Sequence, residues 1–125
     1  MAIPRSHQAA ERALRTYALA FPEAEEWGDS IIKARGKIFV SLRWVEDTLR
    51  VGVKLPTSSE MALTLPFTEP GGRGLGRAGW VIARFTGRQK PDVELLRGWI
   101  KQSYRAVAPR KLVAELVRSA LKTKA

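Results

Sequence analysis

Residues able to do chemistry are sparse in this 125-residue chain, and their spacing argues against most reaction classes. There is no cysteine and a single histidine, His7, which leaves no thiol nucleophile, no thiolate metal site and no histidine relay. Glu23, Glu25 and Glu26 cluster just before Trp27-Gly28-Asp29. Neither an EF-hand loop nor an H-E-x-x-H pair is present, so the cluster reads as a solvated acidic loop and not as a metal site. Glycines at 71, 72, 74, 76 and 79, with Arg73 and Arg77 between them, have the composition of a phosphate cradle. Their spacing fits neither nucleotide-loop pattern, and a strand follows where a helix is required. This stretch reads instead as a flexible basic hairpin tip, a wing. Tyr104 and Lys111 read as core and cap residues. No cofactor is implied, and the expectation is a protein that is not an enzyme.

Charge is the unusual property. Twenty-two Lys and Arg against 12 Asp and Glu give +10. Residues 1–66 hold 9 basic and 8 acidic side chains, and residues 67–125 hold 13 and 4. An excess of this kind suits an anionic partner such as nucleic acid, a phosphorylated ligand or a membrane surface; the competing reading is charge kept for solubility. No apolar run approaches the roughly 18–20 residues of a membrane span, and no signal peptide precedes the first helix, so a cytoplasmic location is expected.

The elements that position these residues follow from periodicity. Ser6 is placed to cap a helix from about His7 to Ala20, ended by Phe21-Pro22. Ile31–Arg35, Lys37–Trp44 and Leu49–Leu55 read as three consecutive strands that reverse at Gly36 and at Glu46-Asp47. Alternation assigns Ile38, Val40, Leu42, Leu49, Val51, Val53 and Leu55 to a face covered by helices. Lys37, Phe39, Ser41, Arg43, Arg50, Gly52 and Lys54 then fall on an open face. Pro56 to Ser59 starts a helix of at most two turns, and Phe67 to Gly79 reads as loop. Trp80–Phe85 is a fourth main strand. Either Val81, Ala83 and Phe85 face the helices with Trp80, Ile82 and Arg84 outward, or the registration is reversed. Pro91-Asp92 opens a long helix with Val93, Leu95, Leu96, Trp99, Ile100 and Tyr104 at core spacing. Pro109 precedes a last helix that buries Leu112, Val113, Leu116, Val117, Ala120 and Leu121. The whole, residues 1–125, reads as one α+β domain: an antiparallel sheet of four to five strands with helices on one face.

Several segments resemble the MmcQ/YjbR family of small bacterial proteins. They are Gly36-Lys37-Ile38-Phe39-Val40, Val53-Lys54-Leu55-Pro56, Gly79-Trp80-Val81 and, most specifically, the stretch from Tyr104 to Leu112, reading YRAVAPRKL. Phe21-Pro22 and Trp27-Gly28 also fit, and the similarity covers nearly the whole chain in order. The resemblance implies a CyaY (frataxin)-like fold and the DNA-binding role attached to the family's double-wing hairpins. It carries no catalytic motif.

Two binding readings follow. In the first, a basic open face binds DNA with little sequence specificity: Lys33, Arg35, Lys37, Arg43, Arg50, Lys54 and Arg84 on phosphates, Phe39 and Trp80 against unpaired bases, Arg73 and Arg77 at the wing tip. In the alternative, the same face takes a protein partner or a small anionic ligand. Phe39 and Trp80 also have a purely structural reading, packed beneath the loop and the helix at 58–65. A frataxin-like iron role is disfavoured, because the first helix carries one carboxylate, Glu11, among arginines, and a +10 protein repels cations. A monomer is expected.

Overall fold

The computed structural model describes residues 3–124, with side chains as far as Arg118. Eleven elements run along the chain: α1 (Arg5–Leu19), β1 (Ala24–Trp27), β2 (Ile31–Ala34), β3 (Lys37–Val45), β4 (Thr48–Lys54), α2 (Ser59–Ala62), β5 (Thr68–Pro70), a 3₁₀ turn (Leu75–Ala78), β6 (Trp80–Phe85), α3 (Val93–Val107) and α4 (Arg110–Lys124). The strands form one antiparallel sheet in the order β1-β2-β3-β4-β6-β5. Architecture and main strands agree with the sequence reading, and two short edge strands are added. β1 lies in the supposed acidic loop, and β5 lies in the supposed loop after Phe67. Each is three or four residues long with charged side chains, a pattern that protects a sheet edge from pairing with other chains.

One sheet face is the core. Ile32, Val40, Leu42, Leu49, Val51, Val53, Val81, Ala83 and Phe85 are buried there beneath Ala10, Leu14 and Ala18 of α1 and Leu96, Trp99, Ile100 and Tyr104 of α3. Each fully buried aliphatic or phenyl side chain contributes about 1.5–3 kcal/mol, so this layer supplies the main driving force. Period two in β4 and β6 therefore held, with Trp80, Ile82 and Arg84 outward.

In β3 it did not. Ile32 pairs with Val40 but Lys33 pairs with Ile38, which leaves Phe39 as the extra residue of a β-bulge. Parity flips at that point. Phe39 and Val40 both turn into the core, fully buried, and Ile38 emerges on the open face. Phe39 completes an aromatic cluster with Phe21 (5.9 Å between ring centroids) and Tyr104 (5.1 Å), while Tyr104 Oη donates to the Pro22 carbonyl at 2.8 Å. Burial raises the pKa of that hydroxyl above the ordinary tyrosine value. The bulge also interrupts the ladder to β4. Ser103 of α3 fills the gap: its Oγ accepts from the Lys54 N–H at 2.8 Å and donates to the Phe39 carbonyl.

Helix ends differ in detail from expectation. Pro4, not Ser6, takes the N-cap of α1, where the His7 and Gln8 N–H groups donate to its carbonyl. His7 is buried, its Nε2 donating to the Gln89 carbonyl at 2.6 Å. Asp92 caps α3 by accepting from Leu95 N–H. On α4, which packs against α3, Leu112 is buried and Val113 and Leu116 partly so, but Val117 is 45% exposed. The expected burial of Ala120 and Leu121 lies outside the described side chains.

Candidate nucleic-acid interface

The sheet face turned away from the helices is organised in rows, because directly paired residues share a face. The middle row crosses all six strands: Trp27, Ile31, Ser41, Gly52, Ile82 and Glu69. To one side, Arg43, Arg50 and Arg84 stand directly opposite one another on β3, β4 and β6. On the other side are Glu25, Lys33 and Ile38, then, beyond the bulge, Lys54 and Trp80.

The arginine row is under-neutralised. Glu69 reaches Arg50 at 2.8 Å and Arg84 at 3.5 Å, while Arg43 has no carboxylate partner among the described residues. Like charges placed directly across a sheet repel. Three guanidinium groups thus stand in a row with one carboxylate, which reaches two of them.

Beside this row Ser41 and Ile82 pack close over Gly52, where a Cβ would be 2.4 Å from Ser41 Oγ and 3.1 Å from Ile82 Cδ1. Against Ser41 and Ile82 lies a solvent-open groove of about 590 Å³ with Ile31, Ile82, Trp80 and Leu75 as its apolar lining and Arg43, Arg50 and Arg73 around it. That volume is within the roughly 300–1,000 Å³ typical of ligand clefts. One wall is the glycine-rich segment. It folds back over Trp80 and does not project as a wing: Gly71 N–H donates to the Trp80 carbonyl at 2.9 Å, and Gly76 N–H to the Gly71 carbonyl at 3.1 Å. Gly71 approaches so closely that a Cβ there would be 2.9 Å from that of Trp80.

Most of the residues expected at the face are there. Lys33, Arg43, Arg50, Lys54, Trp80 and Arg84 share the open side of the sheet, and Arg73 lines the groove. Trp80 is half-buried under the glycine segment, so its structural reading holds in part and one side of it still lines the groove. Arg77 is exposed on the 3₁₀ turn, outside the groove lining.

Three residues are elsewhere. Phe39 is in the core, carried there by the bulge. Lys37 pairs with Ala34, whose side chain is buried, and so is on the helix side of the sheet margin. Arg35 occupies the β2–β3 turn at φ +49° and forks onto Glu23, with contacts of 2.9–3.2 Å. That hydrogen-bonded pair holds the Glu23 carboxyl below its ordinary pKa. Glu26 likewise meets Arg15 at 3.4 Å, so two of the three clustered carboxylates have arginine partners.

Sequence reasoning missed Trp27, Ile31, Ile38 and Leu75. Trp27 is 63% exposed at the end of the middle row, with Lys33 Nζ 4.1 Å from its ring centroid. The three consecutive apolar residues Ile38-Phe39-Val40 were the available sign that alternation fails there. No helix among the described residues is long and apolar enough to cross a membrane. No curated protein and no solved structure shows significant similarity to the chain. The YjbR family model, however, matches residues 19–106, which take in all six strands and nearly all of α3, and the chain belongs to the YjbR family.

Proposed function

We propose that this YjbR-family protein is a non-catalytic nucleic-acid-binding module, with DNA as its ligand, that engages phosphates through the open sheet face. The observation that carries this reading is the row Arg43–Arg50–Arg84 with Glu69 as its one ion-pair partner among the described residues. A phosphate backbone supplies the missing negative charge, and release of its counterions supplies sequence-independent affinity. Lys33, Lys54 and Arg73 extend the same field around the groove. Little sequence specificity is expected, because the face offers cations and apolar surface but no fixed amide pair for reading a base edge. The only histidine supports the non-catalytic half of the proposal, being buried and committed to the Gln89 carbonyl.

Fluorescence anisotropy with labelled oligonucleotides, titrated across salt, tests the proposal. Four to five phosphate contacts give a slope of log K on log salt of about −4 for duplex. Arg43→Ala, which strands no carboxylate, should weaken binding and reduce the slope by about one. Lys101→Ala, an exposed position on α3, should change neither. Absence of binding at low salt, or equal effects of the two substitutions, would reject the open face as the site.

A further inference from the structure

Charge alone does not explain the hollow beside the arginine row. A face that only gripped a backbone would need cations at its surface and no apolar recess. Here the short side chain of Ser41 leaves room above the sheet, and the glycine segment builds a wall of Leu75 and half-covered Trp80 beside it. Isoleucines form the floor, and Arg43, Arg50 and Arg73 stand around it. An apolar recess ringed by guanidinium groups is complementary to a flat aromatic group attached to phosphates. Within a duplex the bases are stacked and paired and cannot enter. In a single strand they are free.

Resting on the nucleic-acid reading above, we propose that the groove seats one unpaired base of a single strand. Its faces lie against Trp80, Leu75 and Ile82, while Arg43 and Arg73 take the phosphates on either side and Arg50 is shared with Glu69. The protein is then a single-strand binder whose affinity has two separable parts: a salt-dependent part from the arginines and a base-dependent part from the groove. Base–aromatic contact of this kind is worth about tenfold or more in affinity per base. Because every base has an apolar face, the seat discriminates strand state and not sequence.

The test compares three fluorescent probes of equal length by anisotropy: a thymidine single strand, an abasic single strand with the same phosphates, and a duplex. The thymidine strand should bind the native protein about tenfold more tightly than either of the others. Leu75→Ala, at a position already half-exposed, should lower affinity for the thymidine strand alone. Ser41→Phe, which fills the recess and leaves every arginine, should reduce it to the abasic level; its folding is checked by circular dichroism. Equal binding of thymidine and abasic strands by the native protein overturns the seat and leaves the phosphate-binding face standing, and this result does not depend on any variant folding. Failure to bind all three probes overturns the face itself. A free nucleoside monophosphate bound as tightly as the strand would overturn the strand as the occupant.

Discussion

At the scale of single residues, the fold turns on a serine that sequence pattern does not single out. A strict period of two through Ile38, Val40 and Leu42 makes Phe39 read as an outward residue, suited to stacking on a base. The bulge reverses this, and it is affordable only because the backbone groups it frees find partners. Ser103 supplies both, accepting from Lys54 N–H and donating to the Phe39 carbonyl from a fully buried position. No periodicity reports such a contact, since it joins positions 49 and 64 residues apart. Ser103→Ala leaves a donor and an acceptor unpartnered at the bulge, each costing about 1–3 kcal/mol when buried. Urea denaturation should therefore show a loss of about 2 kcal/mol or more with an unchanged m-value. DNA affinity of the folded variant should stay within twofold of the native value, because Ser103 is buried on the helix-covered side of the sheet, away from the open face. A loss below about 0.5 kcal/mol would mean that the bulge does not depend on this serine.

At the scale of elements, the long helices and the four main strands were legible because each carries an apolar stripe against a continuous core. β1 and β5 were not, because three or four residues are too few to show a period and their side chains are charged or prolyl. The glycine segment shows what composition conceals. Glycine and arginine in alternation suggest a flexible wing, yet the segment is closed by its own hydrogen bonds and seated on Trp80. Its anchor is Gly79, at φ +95°, whose missing Cβ would be 2.8 Å from Pro56 Cα. The close approach lets Leu55 N–H donate to the Gly79 carbonyl at 2.7 Å, fastening the segment to the end of β4. Gly79→Ala should consequently destabilise by about 2 kcal/mol or more, combining backbone strain with the clash. Gly72→Ala meets nothing within 4 Å and should be neutral or stabilise by up to about 1 kcal/mol. Thermal melts of the two variants separate the structures directly. Equal and small effects would describe a free wing; a large effect confined to position 79 describes a fastened wall.

At the scale of the whole molecule, net charge was legible but its distribution was not. By sequence the excess belongs to residues 67–125, which carry 13 basic and 4 acidic side chains. In space, Arg97, Lys101 and Arg105 go to α3 and Arg110, Lys111 and Arg118 to α4, in the layer opposite the groove. The open face instead draws Lys33, Arg43, Arg50 and Lys54 from the nearly neutral half and only Arg73 and Arg84 from the basic one. Pairing register, and not local composition, assembles the field that an anion meets. Glu69 is the element of that field most open to test, because it is the carboxylate that holds Arg50 and Arg84 in the absence of ligand. All three side chains are about one-third or more exposed, so removing this network costs at most about 1 kcal/mol of stability. Glu69→Gln should therefore leave a folded protein with one less negative charge on the face and a freed Arg50. Affinity for single strands and for duplex should rise several-fold at low salt, and the salt slope should steepen by about 0.7 for single strands and 0.9 for duplex. If affinity rises without a change of slope, the gain comes from contacts other than phosphate. If it falls, Glu69 is orienting Arg50 for the ligand and is not competing with it.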